Sequence, residues 1–311
     1  MNISEKAFIP VMLTPFKVNG AVDFDGLTRL TEWYLAAGST GLFANCLSSE
    51  MFELTEQERL DVVQHVVKVT KGTVPVVATG TFGGDLQQQA DFVKRMYSQG
   101  VDAVIGITGL LAKEHEGEEV FEANLFKLLD LTEDIPMGFY ECPVPYKRLI
   151  SPQLLGKIAA TGRVIYHKDT CLDINQIRQK VAATEGYPFG LYDAYMVHAV
   201  ESLKAGAAGL SCIQGNFFPE LVVWLCQNYN NPDLKKQVDE VQLFFTDNME
   251  VMHHVYPVIS KYYLQKTGLN ISTYTRRHVG NFDIKVKYAI DALAHRYDLL
   301  REQLSLTPVH I

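Results

Sequence analysis

The stretch "RVIYHKDTCLD", residues 163–173, runs from an apolar segment into an amine. Val164, Ile165 and Tyr166 read as a buried β-strand, and Lys168 stands at its end. Lysine is among the residues least often buried without a partner. Successive strand residues point to opposite faces. Lys168 therefore shares a face with Thr170, while Asp169 points to the other side. An inward lysine at the carboxyl end of an apolar strand makes sense if that end opens on a chemical site.

Working outward, eight such apolar runs follow one another: 8–15, 40–46, 74–82, 102–109, 136–143, 163–170, 188–194 and 209–216. Several are nearly continuous in apolar residues, the pattern of strands covered on both faces. Helical patterns separate them. Leu27, Leu30, Trp33 and Tyr34 recur at spacings of three and four within 25–37. Thr55 and Glu58 form a capping-box pattern that opens a helix through Val69. Segments 86–99, 118–132, 152–160, 173–183 and 195–205 complete the alternation. Eight βα units predict a (β/α)8 TIM barrel, with a doubly wound sheet as the alternative. Past residue 217 the strand pattern stops. Residues 219–304 read as helical, broken at 228–233 and 266–272. The expected organisation is a catalytic barrel over 1–225 and a small C-terminal helical domain over 226–311.

Composition narrows the function classes. Hydrophobic residues make up 47% and charged residues 21% of 311, so a large core is possible and disorder is not expected. The formal net charge of −8 and the lack of a basic stripe argue against nucleic acid or a membrane surface as partner. No window of 18 apolar residues predicts a membrane span. The N-terminal "MNISEKAFIPVML" lacks the order of a signal peptide. Five cysteines, an odd number, fit a reducing cytoplasm.

In a TIM barrel the active residues sit at the carboxyl ends of the strands. There Lys168 has two readings. Desolvation lowers an amine's pKa and makes it a nucleophile. At a pKa of ~10.4 only about one lysine in 2,500 is neutral at pH 7, and a depression of about three units raises that to roughly a third. Such an amine attacks a ketone to give a Schiff base. The other reading is a lysine that snorkels to the rim and finds a salt-bridge partner. Tyr140, ending the preceding strand, is either a proton-relaying phenol or an amphipathic core residue. Ser48 and Ser49 follow the second strand as carboxylate-holding hydroxyls or as turn residues. Gln214 and Asn216, at the last strand's end, are further candidates for substrate contacts.

Weaker signals point elsewhere. The glycines of "TGTFGGD" (79–85) lack the spacing of a phosphate-binding loop. Cys46, Cys142, Cys171 and Cys212 fall near strand ends, but no CxxC or HxH spacing supports a metal, and none is expected. His253 and His254, adjacent on a helix, read as surface residues.

With these residues in view, the chain resembles the dihydrodipicolinate synthase / N-acetylneuraminate lyase family over nearly its whole length. The resemblance is carried by "IPVMLTPF" (9–16), "SSEMFELTEQER" (48–59), "FYECP" (139–143), "HKDT" (167–170) and "AGAAGLSCIQGN" (205–216). It implies a class I aldolase or lyase that needs no cofactor. Lys168 would form the imine with pyruvate or another 2-keto acid, Tyr140 would relay protons, and Ser48 would bind the carboxylate. A carbonyl compound would be co-substrate; dehydration of a 2-keto-3-deoxy acid is the related outcome.

The chain departs from the family where the second substrate is read. Leu47 replaces the first loop hydroxyl, and Leu110 and Leu111 stand where a second relay tyrosine is expected. Val144, Pro145 and Tyr146 occupy the stretch that supplies a carboxylate-gripping arginine, with Lys147 and Arg148 out of register. No acidic pair follows the seventh strand, where only Asp193 is near. These changes imply a less polar or differently shaped carbonyl co-substrate. The alternatives are dihydrodipicolinate synthase proper or a family member that binds a keto acid without turnover. The resemblance also implies a homotetramer. Residues 238–264 add an independent reason, since they carry more apolar surface than one helix face covers.

Overall fold

The computed structural model describes residues 6–307 and 309; the reading of the extreme N-terminus falls partly on residues 1–5, which lie outside the described residues. Eight parallel strands form one sheet: β1 (Ala7–Phe8), β2 (Leu42–Ala44), β3 (Val76–Thr79), β4 (Ala103–Ile107), β5 (Met137–Tyr140), β6 (Val164–Asp169), β7 (Gly190–Asp193) and β8 (Gly209–Leu210). Their spatial order follows the chain, and β1 pairs with β8. The ring closes where Val11 bridges Phe43, with the Phe43 amide donating to the Pro10 carbonyl at 3.0 Å and the Met12 amide to Phe43 at 3.1 Å. A doubly wound sheet has neither feature, so the barrel stands and the alternative falls.

The strands are shorter than their apolar runs. The run 8–15 is regular only through Phe8, because Pro10 has no amide to give the ladder. The run 209–216 turns after Leu210 into a 3-10 turn, Ile213–Asn216. Gly209 is required at this seam: a Cβ there would lie 1.9 Å from the Ala7 carbonyl oxygen.

Seven helices connect consecutive strands: α1 (Phe24–Ala36), α2 (Glu56–Thr70), α3 (Leu86–Tyr97), α4 (Glu118–Leu131), α5 (Pro152–Ala159), α6 (Ile174–Ala183) and α7 (Ala199–Ala205). Their starts are chemically marked. Asp23 accepts from the Gly26 amide, Thr55 and Glu58 close the expected capping box, and Ser151 precedes Pro152 at the first helical position. α7 begins later than expected, because 196–198 form a 3-10 turn first.

Both faces of the strands are covered. One core fills the barrel with Val11, Phe43, Val77, Ile105, Ile107, Tyr140, Tyr166 and Tyr192. A larger core lies between sheet and helices and takes the alternate residues, among them Val76, Val104, Phe139 and Leu191.

α8 (Pro219–Asn228) packs on β1 and β8, and the boundary expected at 225/226 falls in its last turn. The C-terminal stretch continues with α9 (Lys235–Asp247), α10 (Met249–His253), α11 (Val258–Lys266) and, after an irregular segment, α12 (Ile284–Gln303). Among the apolar residues of 238–264, Phe245, Met252, Ile259 and Leu264 are fully buried within this one chain, and only Leu243 is exposed. The chain's own helices cover that second face. This segment therefore gives no independent reason for an oligomer.

Candidate active site

β5 and β6 place Tyr140 and Lys168 side by side, paired in register, with Tyr192 of β7 next to Lys168. All three face the barrel interior. The Lys168 Nζ lies 4.3 Å from the centre of the Tyr140 ring and 5.8 Å from that of Phe43. Lys168 is 4% exposed, and among the described residues it makes no ion pair. Burial pushes its pKa below the usual lysine value, opposed by nearby Cys46, Cys142 and Cys212. The Cys142 and Cys212 thiols are themselves pushed up, to about 11 and about 12, chiefly by burial. They therefore stay neutral and leave the amine unpaired. The salt-bridged reading of Lys168 finds no partner. Burial likewise raises the Tyr140 pKa and holds the phenol protonated.

Asp169 turns away from the barrel, as the strand alternation predicts, into a fully buried cluster behind the pair. The Lys180 Nζ of α6 donates to Glu141 Oε1 at 2.6 Å and to Asp169 Oδ2 at 2.5 Å. Glu141 also accepts from the Ile150 and Thr170 amides, and Asp169 from the Cys171 amide. His167 Nε2 lies 3.4 Å from Glu141 and 3.5 Å from Asp169. Burial raises the Asp169 carboxyl, but the His167 contact and the Lys180 charge outweigh it and hold the group well below the usual carboxylate range. Glu141, His167 and Asp169 have the donor set of a metal site. The Lys180 ammonium already supplies the cation there. Because Glu141 follows Tyr140 and Asp169 follows Lys168, this cluster ties the ends of β5 and β6 together. The sequence reading missed it. Lys180 sits in a helix whose polar face is ordinarily solvated, and only the tertiary packing shows it buried.

The loop after β2 forms a 3-10 turn, Leu47–Ser49, flanked by Asn45 and Glu50, both in the left-handed region with φ of 54° and 56°. The two serines are placed differently. Ser49 Oγ accepts from the Cys46 amide at 2.9 Å and donates to the Met12 carbonyl at 2.6 Å, so its hydrogen bonds stay inside the fold. Ser48 neighbours the phenol of Tyr256, whose pKa is raised chiefly by burial. Asn216 Nδ2 donates to the Val11 carbonyl at 2.9 Å and to Tyr256 Oη at 2.5 Å, and its Oδ1 accepts from Tyr34. Gln214 Nε2 lies 2.9 Å from Met249 Sδ, and its Oε1 is buried with no hydrogen-bond partner among the described residues. Ser48 and Asn216 thus both neighbour Tyr256, a phenol from the connection between α10 and α11. The sequence reading counted Tyr256 only among the apolar residues of its segment.

The departures from the family pattern have clear placements. Leu47, Leu110 and Val144 pack against the barrel-interior cluster. Leu111 does not; it is buried in the outer core, so Leu110 is the leucine on the site side. The Arg148 guanidinium donates to Tyr146 Oη and to the Lys113 and Glu116 carbonyls, and Lys147 donates to the Thr170 carbonyl. Both cations are held by loop carbonyls. Asp193 accepts from the Tyr195 amide and lies 2.9 Å from His198.

Known proteins share this fold. The profile of the Dihydrodipicolinate synthetase family matches residues 5–296. A 4-hydroxy-tetrahydrodipicolinate synthase of Ruegeria pomeroyi is 29% identical over 300 residues, covering 95% of this chain and 99% of that protein. One of Roseobacter denitrificans is 31% identical over 217 residues, covering 70% and 72%. Among solved structures, dihydrodipicolinate synthase from Thermotoga maritima aligns with a TM-score of 0.84 at 22% identity, covering 95% of this chain and 99% of that one. A prophage protein of the dihydrodipicolinic acid synthase family from E. coli K12, in complex with pyruvate, aligns with a TM-score of 0.82 at 20% identity, covering 95% and 98%. This chain therefore belongs to the dihydrodipicolinate synthetase family and is an enzyme of the lyase and aldolase type that the family comprises.

Proposed function

We propose that this enzyme is a class I aldolase or lyase in which Lys168 forms a Schiff base with pyruvate or another 2-keto acid. The observation that carries the reading is the desolvated amine of Lys168, without an ion-pair partner, 4.3 Å from the Tyr140 ring centre at the carboxyl end of β6. The neutral amine adds to the C2 carbonyl to give a carbinolamine. Loss of water then leaves the imine, and the chemistry needs no cofactor. The Tyr140 phenol moves protons to and from the carbinolamine oxygen. Ser48 holds the keto-acid carboxylate, and Asn216 supports it. Ser49 and Gln214 shape the surrounding wall.

The co-substrate is a carbonyl compound without a carboxylate at its far end. Leu47, Leu110 and Val144 line the inner side of that region, and Arg148 and Lys147 are engaged elsewhere. No helix among the described residues is long and apolar enough to cross a membrane. With the cysteine usage, this supports a cytoplasmic enzyme. Family resemblance supports a homotetramer.

Borohydride reduction with pyruvate present tests the central claim. The expected adduct maps to Lys168, and Lys168→Ala abolishes both adduct and turnover. Labelling that survives in that variant overturns the assignment. Turnover in a screen of carbonyl co-substrates separates the enzyme from a keto-acid-binding protein.

A further inference from the structure

We propose that His167 carries a positive charge in the folded enzyme: with Glu141, Asp169 and Lys180 it completes a neutral buried quartet behind the active site, and that neutrality keeps the Lys168 amine available as a nucleophile. His167 is then a positioning residue that acts through Lys168. The proposal rests on the Schiff-base reading given above.

The charges follow from donor counting. All four side chains of the quartet are fully buried. Glu141 Oε1 accepts from Lys180 Nζ at 2.6 Å and from the Ile150 amide at 2.9 Å, and Oε2 accepts from the Thr170 amide at 3.0 Å. Asp169 Oδ2 accepts from Lys180 Nζ at 2.5 Å, and Oδ1 from the Cys171 amide at 2.7 Å. Each of these partners is an N–H donor, so a proton on either carboxyl would find no acceptor among the described residues. Both groups are therefore carboxylates, and the Lys180 ammonium balances only one of them. An unmatched negative charge is costly in a protein interior.

The basic group left to balance it is His167. Its Nε2 lies 3.4 Å from Glu141 Oε1 and 3.5 Å from Asp169 Oδ2, the same two oxygens that Lys180 bonds. A ring nitrogen that faces two carboxylate oxygens turns a hydrogen toward them, not a lone pair. Nδ1 has no hydrogen-bond partner among the described residues, so charge balance is what holds the second proton. Burial pushes the imidazole pKa down, but the Asp169 and Glu141 contacts outweigh it and leave it above the usual histidine value. The surrounding charges are already matched. Asp193 of β7, beside Asp169 in the sheet, lies 2.9 Å from His198, Arg178 of α6 pairs with Glu201, and Lys157 of α5 pairs with Glu122. Burial raises the Cys171 thiol, which stays neutral.

Quartet and site alternate along the same two strands. Tyr140 precedes Glu141, Lys168 lies between His167 and Asp169, and Tyr140 pairs with Lys168 in register. On the barrel face Lys168 meets the phenols of Tyr140 and Tyr192 and the thiols of Cys46, Cys142 and Cys212. The charge behind the strand therefore bears directly on the amine. A net negative charge there would favour the ammonium form and raise the Lys168 pKa, whereas a neutral quartet leaves burial to keep it low.

The test uses the full-length protein and pyruvate. The initial rate of cyanoborohydride-trapped adduct at Lys168 is followed by intact mass as a function of pH, and its midpoint reports the amine. His167→Gln leaves the quartet negative and should raise the midpoint by about one pH unit, the effect of one elementary charge at roughly 10 Å with an effective dielectric constant of ~20. Asp169→Asn leaves it positive and should lower the midpoint by a similar amount. His167→Gln with Asp169→Asn restores neutrality and should return the midpoint to that of the unsubstituted protein. A midpoint that stays put in His167→Gln while the amplitude falls, the mark of a merely structural role, overturns the proposal; so does a double variant that fails to return. Nitrogen-15 spectra of labelled histidine give a second measurement that needs no catalysis. The His167 ring, assigned by its loss in His167→Gln or its shift in Asp169→Asn, should show both nitrogens protonated at neutral pH, and a singly protonated ring overturns the proposal. Absence of any adduct in the unsubstituted protein refutes the Schiff-base reading, while the ring spectrum still decides the charge on His167.

Discussion

Lys180 is the residue whose removal best tests the architecture behind the active site. Lys180→Met keeps the length and bulk of the side chain and deletes its charge. The two carboxylates it serves, Glu141 and Asp169, are completely buried, at 2.6 and 2.5 Å from Nζ. Removing one partner of a buried ion pair costs about 3–5 kcal/mol, because the other charge stays buried without compensation. With two carboxylates left, the upper half of that range is expected. The melting midpoint should fall by roughly 10 °C. The deficit should also depend on pH with a definite sign. In the unsubstituted protein the Asp169 carboxyl is depressed, so its stabilisation is full above the unfolded value of ~3.9 and fades only as pH falls through the lower folded value. In Lys180→Met burial is expected to outweigh the remaining His167 contact, and the folded value rises above ~3.9. Stability then depends on proton uptake and is lost as pH rises, by up to about 1.4 kcal/mol per unit. Unfolding measured at pH 5 and pH 7.5 should show the larger deficit at pH 7.5. Replacing Glu141 by Gln and Asp169 by Asn in the same chain should recover part of the loss. A deficit under about 1 kcal/mol, or one equal at both pH values, would refute the claim that this cluster depends on Lys180.

Three other outcomes follow from the site. Tyr140→Phe should lower turnover about 10²- to 10⁴-fold, the usual worth of a general acid–base group; unchanged turnover would remove Tyr140 from the mechanism. Turnover of pyruvate with aspartate semialdehyde should be weak. A lost charged hydrogen bond to the carboxylate costs ~1.5–3 kcal/mol, roughly 10- to 150-fold in binding, and a rate near ~10 s⁻¹ would show that Lys147 or Arg148 is recruited after all. Light scattering should report a closed oligomer, with the exposed face of α12, where Ile284, Tyr288 and Leu299 lie, as the candidate contact; a particle of 34.9 kDa at micromolar concentration would rule it out.

The closed ring settled the barrel over a doubly wound sheet, while the sequence by itself determined the eight βα units, the capping of α2 and the place of Tyr140 one strand before Lys168. These rest on local signals: apolar runs at a regular interval, a Thr–Glu box, and an amine at the end of an apolar strand. Alternation along β6 was enough to send Lys168 inward and Asp169 outward. Only the tertiary structure decided what surrounds them. Lys180 and Glu141 lie 39 residues apart in the chain, and the helix pattern around Lys180 carries no mark of burial. Tyr256 lies 40 residues from Asn216, inside a segment whose apolar count pointed to an oligomer. Strand and helix periodicity say which face a residue takes on its own element. Which distant element that face meets depends on how the chain closes, and the closure at Val11 and Phe43 brings Asn216, Tyr256 and Ser48 to one end of the barrel.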